Sequence, residues 1–539
     1  MRIESFAWLM LTAALLPWGA RAQNVRQQNV FMLLKPADYH HYIDEFKDDE
    51  LVATHQNAPD EWPWLEANIP LFDSSDRQFE EMYYFRWYAF EKHVVRTKDH
   101  GYLITEWLHR PDLPNDGVLP DAAPFHLGEA RWLRDPQIAE DYAHYWVSPE
   151  ARPRLYSFAL ASSVRDVTLA TGDAKLGIDM LPGLVANYQG WVATQFDPSV
   201  GLFWSIDTRD AMEKSISGDG YRPTLNSYMV GEARAIADFA RAAGQTAEAN
   251  EYAAKADTLE HTVEAKLWNP KDQFYEVVSP AADSGIRKQK KFKDNGTALR
   301  FAGVRELIGY IPWGYYGPAA SHDIAWKQLF DVQGFAGKYG PTTAERRSPR
   351  FRFASSDQCT WNGPSWPYAT TQTLLALAHL LNGAPQQDIG KQQYYQLFSN
   401  YVRGQHLKLA DGRTIDWIDE DLDADTDQWI AKNMLIQKHK QVGRGNYYNH
   451  SGFADPLITG LVGLRPRADR KLILHPLLPA GQWSYFAIDG LPYHGHLLTI
   501  VYDETGNHYH RGRGLTVYVD GKKLANRPAL ESLEAELPN

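Results

Sequence analysis

The chain has little cysteine, no excess of positive charge and, beyond its first residues, no long apolar run. Cys359 is the single cysteine, so an internal disulfide is excluded, and we expect a packed thiol there. The formal net charge of -12 argues against nucleic acid as a partner, because phosphate groups are bound by basic faces. No later segment is apolar enough to cross a bilayer.

Several catalytic signatures are missing as well. The sequence has no H-E-x-x-H motif, no Cys/His cluster, no Walker phosphate loop and no glycine fingerprint of the Rossmann type. A G-x-S-x-G elbow is also absent, which counts against an esterase. We therefore expect a reaction that requires no organic cofactor.

The first 22 residues have the pattern of a secretory signal. Arg2 supplies a positive start, residues 6–18 form an apolar stretch, and Ala20-Arg21-Ala22 resembles an A-x-A cleavage site. The apolar stretch is too short to span a membrane, and no cysteine follows the cleavage site for lipid attachment. We predict an exported protein, periplasmic or secreted.

What the chain does have is many aromatic residues. Hydrophobic residues make up 44% and charged residues 23%, as in ordinary globular proteins, but 18 Trp and 29 Tyr are many. Most of these rings should pack in the core, although sugar sites also use flat aromatic faces. The length favours one large domain with smaller appendages.

Helical patterns recur along most of the chain. Aromatics spaced by three and four residues predict a buried helix over 77–92. Two helical hairpins follow, in which Gly172 and Gly244 end the first helix and a short polar residue begins the second. Long loops rich in Trp, Pro and acids separate the hairpins, and loops of this length tend to carry function. The other predicted helices are 154–170, 174–191, 227–243, 247–268, 370–381 and 391–402.

These patterns predict a mainly α fold, an (α/α)6 toroid with a small C-terminal antiparallel β appendage. Strands are expected at 471–475, 485–489, 496–502 and 514–519, between Gly, Pro and Asp turns. The expected organisation is a signal peptide (1–22), an N-terminal extension (23–74), a catalytic domain (75–465) and the β appendage (466–539), with a weakly ordered tail over 527–539.

Two loops combine carboxylates with tryptophan, as hydrolysis of a glycosidic bond requires. One carboxylic acid protonates the leaving oxygen, a second carboxylate activates water, and aromatic faces hold the sugar. In the first loop, Asp207, Asp210 and Glu213 are spaced by three, so a helix would place them on one face, where repulsion raises a pKa. The alternative is an acidic loop paired with Arg209, Lys214 or Arg222.

The second loop, 416–429, places Glu420 among acids that alternate from 419 to 427. The alternation resembles the start of an EF-hand, but the sixth position lacks Gly and Ile430 stands where the twelfth-position Glu belongs. Bound Ca²⁺ is therefore a minor alternative, as is a solvated acidic turn, and we expect no required metal.

Aromatic and amide groups elsewhere could contact a sugar. The segment 361–368 offers Trp361, Trp366 and the amide of Asn362, as a sugar platform or as a core loop. His450 could bind a hydroxyl, although a lone histidine is more often structural.

On these motifs the chain resembles the inverting (α/α)6 glycoside hydrolases of family 63, the group of processing α-glucosidase I and mannosylglycerate hydrolase-like enzymes. It is more distantly similar to family 37 trehalases. The segment Asp210-Ala-Met-Glu213-Lys-Ser takes the place of the family's acid segment, so the resemblance implies Glu213, rather than Asp, as the general acid. Glu420-Asp-Leu-Asp423 takes the place of the base segment, which implies Glu420 as the base. Trp361-Asn-Gly-Pro-Ser-Trp366 matches a Trp-Arg-Gly-Pro-x-Trp segment, with Asn362 for Arg.

We therefore expect an exported, inverting, exo-acting glycoside hydrolase with a carbohydrate substrate, and the resemblance implies an α-glycoside. One alternative is a polysaccharide lyase on an α-toroid, with Tyr447, His450 and Arg444 in its site. Another is a non-catalytic glycan-binding protein. Besides catalytic Glu213 and Glu420, the expected substrate-binding residues are Trp204, Asp207, Asp210, Arg222, Asn226, Trp361, Asn362, Trp366 and His450.

Overall fold

The computed structural model describes residues 32–539 except 109, 114, 116, 281–297, 354–358, 384–385 and 442. The predicted signal peptide lies outside the described residues. The helices are α1 His40–Thr54, α2 Trp62–Asn68, α3 Arg77–Glu91, α4 Ala123–Ala130, α5 Gln137–Tyr145, α6 Leu160–Thr171, α7 Lys175–Gln195, α8 Pro223–Ala242, α9 Thr246–Leu267, α10 Pro312–Tyr315, α11 Pro367–Asn382, α12 Lys391–Arg403, α13 Ile430–Gln437 and α14 Ala454–Pro456, which continues as a π-helix over Leu457–Val462.

The strands are short in the helical part and longer near the C-terminus. They are β1 Leu71–Ser74, β2 Val94–Thr97, β3 Gly101–Ile104, β4 Phe196–Asp197, β5 Leu202–Ser205, β6 Gly220–Tyr221, β7 Trp268–Asn269, β8 Phe274–Tyr275, β9 Val278–Pro280, β10 Leu299–Phe301, β11 His406–Lys408, β12 Thr414–Asp416, β13 Lys471–Leu474, β14 Tyr485–Tyr493, β15 His496–Asp503, β16 Gly514–Val519, β17 Lys522–Arg527 and β18 Leu533–Glu536. Two sheets have five strands, in the orders β1-β14-β15-β16-β17 and β10-β9-β6-β5-β4.

Helix α3 forms where aromatic spacing predicts it. The Asp76 carboxylate accepts hydrogen bonds from the backbone N–H groups of Gln78 and Phe79, which caps the helix. Between Phe79 and Phe90 every residue except Glu81 is buried. A helix that is apolar on nearly every side lies inside a protein, so α3 is a core element.

The two predicted hairpins are confirmed as α6–α7 and α8–α9. Gly172 ends α6 in the left-handed conformation (φ 73°), and its N–H donates to the Thr168 carbonyl. Helix α8 begins at Pro223 and α11 at Pro367, each earlier than the sequence pattern indicates, because proline is favoured in the first turn, where its missing N–H costs nothing.

Five helices begin directly after segments that carry candidate site residues. Asp121 precedes α4, Tyr156 precedes α6, Glu213 precedes α8, Trp361 precedes α11 and His450 precedes α14. Candidate site residues thus recur in the connections that lead into helix N-termini.

The C-terminal strands form an antiparallel sheet that recruits the N-terminal part of the chain. β1 pairs with β14 in antiparallel register, Leu71 opposite Asp489. Near the C-terminus, β18 pairs with β13, and Leu533 is fully buried. The expectation of a weakly ordered tail is therefore wrong for 533–536, because these residues complete a two-stranded sheet.

The protein is thus rich in helix with a C-terminal antiparallel sheet, as predicted. The closure of the helices into an (α/α)6 toroid stays a prediction. Within the described ranges no helix combines the length and apolar character needed to span a membrane.

Candidate active site

The loop that carries Glu213 is not a continuous helix. A 3₁₀ turn covers Asp207–Asp210 and stops at Ala211, whose backbone is left-handed (φ 56°). Lys214 is left-handed as well (φ 61°), so Glu213 lies between two reversals of the chain. The segment is therefore not the helix that would place the three acids on one face, and the alternative pairing of an acid with Arg222 is found for Asp210.

Asp210 and Arg222 form a buried ion pair beneath this loop. Both side chains are inaccessible to solvent, and the Arg222 Nε donates to Asp210 Oδ2 at 2.5 Å. Arg222 also donates to the Gly218 carbonyl. Asn226 bonds the backbone N–H and carbonyl of Phe203, at 2.8 and 2.9 Å. These predicted substrate contacts are instead bonded to protein groups, in an arrangement that holds the loop rather than faces a ligand.

Two further predicted contacts lie at the edge of this network. Trp204 is 2% exposed and packs edge-on against Tyr221, at 5.4 Å between ring centroids. The Asp207 N–H donates to Asp219, and its carboxylate is half-buried near Ser215. Neither arrangement presents a flat aromatic face or a free carboxylate to a sugar.

Glu213 is half-buried and close to other carboxylates. Burial raises its pKa to about 7, and the charges of Asp121, Asp207 and Glu420 add to this effect. The salt bridges of the described residues include none to Glu213. The backbone carbonyl of Glu213 accepts from the Trp361 N–H at 3.1 Å, which joins the two predicted segments. A carboxyl group with this pKa is half-protonated near neutrality and can act as an acid.

Within the described part of the chain, Glu420, unlike Glu213, is paired with a positively charged side chain. Its side chain is fully buried, and Arg444 binds both oxygens, Nε to Oε1 at 2.8 Å and Nη2 to Oε2 at 2.5 Å. The Cys359 thiol lies 3.4 Å from Oε2. Burial raises the pKa of Glu420, while the Arg444 charge opposes that rise. Since a guanidinium favours the ionised form, Glu420 is suited to accept a proton.

The acids around Glu420 are engaged by protein donors. Asp419 lies 3.7 Å from the Lys432 ammonium, Asp421 accepts from the Ala431 N–H, and Asp425 pairs with Arg346. In the described part of the chain no group of three or more His, Cys, Asp or Glu residues could hold a metal ion.

A second pair of carboxyl groups, Glu106 and Asp121, is buried near the first. Tyr448 donates to Glu106, and the Asp121 charge acts on Glu106. Burial raises the pKa of both groups, and the charges of Asp121, Glu420 and Glu213 raise that of Glu106 further. Both groups therefore hold a proton more readily than a solvent-exposed carboxyl group does.

An arc of aromatic rings connects the two segments. Trp361 and Trp366 stack at 4.6 Å between centroids, and Trp366 packs edge-on against His450 at 5.9 Å. His450 stacks on Tyr448 at 3.9 Å, and Tyr448 lies 4.2 Å from Trp107. Burial lowers the pKa of His450 to about 3, so its ring is neutral. The structure therefore brings Trp361, Trp366 and His450 together, while their role in binding a sugar stays a prediction.

Several polar atoms along this arc are buried and have no hydrogen-bond partner among the described residues. A buried polar group without a partner costs about 1–3 kcal/mol, so such groups in one place favour a polar ligand. They are Trp107 Nε1, Thr360 Oγ1, Trp361 Nε1 and Asn362 Oδ1.

The sequence pattern alone missed Glu106, Asp121, Tyr156 and Tyr448, and gave Arg444 no role in the hydrolase. The charges of Asp121, Glu213 and Glu106 all act on the Tyr156 hydroxyl, which places it beside the carboxyl groups. A usable signal existed for Asp121, in Pro120-Asp-Ala-Ala-Pro124 at the start of α4, and for Glu106, which precedes Trp107. Both stand in the connection between β3 and α4, which also carries Asp112 and Asp116, so neither acid stands out in the sequence.

A family model for the mannosylglycerate hydrolase MGH1-like glycoside hydrolase domain matches residues 116–451. A second model, the C-terminal domain of glycosyl hydrolase family 65, matches residues 464–526. The first match includes Asp121, Glu213, Glu420 and Arg444, and the second includes β13 to β16.

Three solved structures are similar to this chain to different degrees. A structure named "Sialidase" is 37% identical, with a TM-score of 0.83, over 93% of this chain and 45% of that chain. This chain thus spans less than half the length of that protein. A GH63 mannosylglycerate hydrolase from Thermus thermophilus is 13% identical, with a TM-score of 0.48, over 70% of this chain and 98% of that chain. A GH78 family rhamnosidase of Bacillus sp. GL1 is 14% identical, with a TM-score of 0.49, over 80% and 40%.

Proposed function

Because the chain belongs to the MGH1-like glycoside hydrolase family, we propose that it is an exported, inverting hydrolase that removes a terminal sugar from a glycan. Glu213 is the general acid and Glu420 the general base. We also propose that its helices close into an (α/α)6 toroid, with the site at the end where α4, α6, α8, α11 and α14 begin. The proposed export rests on the pattern of residues 1–22.

The contrast between the two carboxyl groups supports these roles. Glu213 has a pKa raised to about 7 and no salt bridge among the described residues, whereas Arg444 binds both oxygens of Glu420. Two carboxyls in unlike surroundings divide into a proton donor and a proton acceptor. In an inverting enzyme, water lies between the base and the sugar, so we expect roughly 6.5–9.5 Å between the two carboxyl groups.

The reaction follows from these assignments. Glu213 protonates the glycosidic oxygen as the bond to the anomeric carbon breaks, and Glu420 removes a proton from water attacking the opposite face. The arc from Trp361 to Trp107 packs against the sugar ring, and Asn362 and Thr360 bind hydroxyl groups. Neither step requires a metal or an organic cofactor.

The carboxyl groups around Glu213 and Glu420 make this region negatively charged, which indicates a terminal sugar without charge. Glu106, Asp121, Glu213 and Glu420 act on one another electrostatically, and the guanidinium of Arg444 is already paired. A sugar that carries a carboxylate, as a sialoside does, would meet like charge here, which disfavours binding. We therefore propose a neutral terminal sugar, in an α-glycoside by family resemblance, rather than the substrate that the name of the 37% identical structure suggests.

The test is turnover of a glycan panel by the wild type, Glu213→Gln and Glu420→Gln, with products followed by NMR. The panel pairs neutral glycosides with sialosides and uronides. We expect a neutral monosaccharide, released first as the inverted anomer, and a loss of kcat by orders of magnitude in both variants. Asp425→Asn is the matched control, because it makes the same carboxylate-to-amide change in the Glu420 loop at an exposed ion pair.

Three outcomes would contradict the proposal. Retention of the anomer would exclude inversion, and full turnover by either Gln variant would show that the acid or the base is another residue. A product absorbing near 230 nm would indicate a lyase. Binding without turnover, unchanged in Glu213→Gln, would indicate a glycan-binding protein.

A further inference from the structure

The Glu420 carboxylate accepts hydrogen bonds from two side chains, although the single positive charge of Arg444 would be enough to balance its negative charge. Arg444 supplies two N–H groups, one to each oxygen, and the Cys359 S–H points to Oε2 at 3.4 Å. A carboxylate has about four acceptor positions. Donors from the described residues occupy three of these positions, and the fourth belongs to Oε1, to which that part of the chain supplies a single donor.

Arg444 is held in place by contacts of the two residues that follow it and by the ring of Trp107. A side chain at Gly445 would overlap the Asp419 carboxylate, so the backbone runs directly against Asp419. Asn446 accepts from the Lys432 ammonium at 2.8 Å. The Arg444 guanidinium lies 5.2 Å from the Trp107 ring centroid, within the range of a cation–π contact. These contacts fix the fork of Arg444 against Glu420.

The Cys359 thiol is suited to donate at any working pH. Burial and the Glu420 charge raise the pKa of the thiol, so it remains S–H. Its sulfur lies 3.6 Å from Arg444 Nη2, which places both donors on the same side of the carboxylate. The charged or titratable groups around Glu420 and Cys359 are Glu106, Tyr156, Glu213, Asp419, Asp421, Lys432, Arg444 and Tyr448.

We propose that Arg444 and Cys359 are positioning residues that hold Glu420 ionised and leave only Oε1 open to the attacking water, an inference that rests on the proposed function. Neither residue touches the reacting atoms. Arg444 stabilises the negative charge, and Cys359 fixes the orientation of Oε2. The proton from water therefore passes to Oε1.

Activity against pH tests the Arg444 part. A base works when it is ionised, so kcat/KM falls as pH drops through the pKa of Glu420. Loss of a neighbouring cation raises a carboxyl pKa by about 1–3 units. Arg444→Gln should therefore move the acid limb of the profile up by at least about one pH unit. Arg346→Gln is the matched control, since Arg346 makes a similar two-pronged pair with Asp425 at the surface.

Serine and alanine test the Cys359 part. Cys359→Ser keeps a donor and should keep the wild-type acid limb, whereas Cys359→Ala should move it to higher pH with little change in KM. An unchanged acid limb in both Arg444→Gln and Cys359→Ala would overturn the proposal.

The single cysteine offers a readout that needs no substrate. The rate of Cys359 alkylation by iodoacetamide, followed by mass spectrometry across pH, reports the thiol pKa. Burial and the Glu420 charge both keep the thiol protonated. Glu420→Gln removes that charge, so the alkylation rate of this variant at pH 8 should exceed the wild-type rate at least about tenfold. The pH of half-maximal rate, rather than the plateau, separates this effect from a change in access.

The alkylation assay and the activity assay together distinguish failure of this proposal from failure of the proposed function. Asp425→Asn should alkylate like the wild type, and a rate for Glu420→Gln within about twofold of the wild type would overturn the Glu420–Cys359 contact. If alkylation changes as expected while no glycoside is cleaved, the contact stands and the proposed function falls.

Discussion

The Asp121 charge acts on the Glu213 carboxyl group, so it affects how readily Glu213 holds its proton. Glu213 acts while protonated, and its pKa is about 7, so kcat/KM should fall as pH rises through about 7. The Asp121 charge contributes to that pKa. Asp121→Asn removes this charge and should move the basic limb to lower pH.

A pH series of kcat/KM for the wild type and Asp121→Asn measures the shift, independently of any loss in absolute rate. Asp112→Asn, at an exposed acid paired with Arg110, serves as the control. A basic limb that stays in place in Asp121→Asn would mean that Asp121 does not act on the acid.

The buried ion pair of Asp210 and Arg222 should contribute to the stability of the fold. Removing one partner of a buried ion pair leaves an uncompensated charge and costs about 3–5 kcal/mol. Arg222→Met should therefore lower the free energy of unfolding by that amount in urea titrations. Arg413→Met, at an exposed pair with Asp411, should cost less than about 1 kcal/mol. Similar losses for the two variants would show that the Asp210 charge is not buried in solution.

For individual residues, the sequence indicated which residue types the site contains better than it indicated what each of them does. Carboxylates beside tryptophan indicated the two loops, because that composition is what the chemistry requires, and the family resemblance implied Glu213 and Glu420 within them. The partners could not be predicted, since Glu106 meets Tyr448, and Arg444 meets Cys359, only after long stretches of chain have folded. Arg222 and Asn226 were expected at the sugar because polar residues near a candidate acid look functional, whereas the fold uses them to hold the loop.

At the scale of elements, helices were predictable where apolar spacing and caps agreed. Gly172 and Gly244 mark the turns of α6–α7 and α8–α9, and the predicted strands at 496–502 and 514–519 match β15 and β16 closely. The starts of α8 and α11 were placed too late, because an initial proline has no periodicity to reveal it. The short strand β18 was missed, since its pairing with β13 is set by tertiary contact rather than by its own pattern.

Gly177 allows α7 to pack closely against α8. A Cβ at this position would overlap the ring of Phe239 on α8. Gly177→Ala should therefore separate the two helices and lower the free energy of unfolding by about 1–3 kcal/mol, despite the better helix propensity of alanine. Gly314→Ala is the matched control, because its new methyl would lie 4.0 Å from the nearest atom. Urea unfolding of both variants measures this change in the free energy of unfolding. A more stable Gly177→Ala variant would show that the interface between α7 and α8 can accommodate a methyl group.

At the scale of the whole molecule, the N-terminal and C-terminal regions are one structural unit. β14 lies between β1 and β15, so the sheet depends on both ends of the chain. The Asp489 carboxylate on β14 accepts from the backbone N–H groups of Leu33 and Leu34, at 2.5 and 2.8 Å. Tyr509, beyond β15, donates to Asp73 on β1 at 2.6 Å. The division into an extension, a catalytic domain and an appendage therefore follows the chain but cuts through one sheet.

A fragment of residues 75–465 should consequently not fold by itself. It lacks β1 and all of β13 to β18, so apolar residues that the missing regions cover would be exposed to water, among them Phe79 and Tyr395, which contact Trp483. Near-UV circular dichroism and urea unfolding should show no cooperative transition for this fragment, whereas residues 32–539 should unfold cooperatively. Mixing 32–465 with 466–539 tests whether the two pieces reassemble through β1 and β14. A soluble, monomeric 75–465 with a cooperative transition would instead establish the helical part as an independent domain and the sheet as an accessory to it.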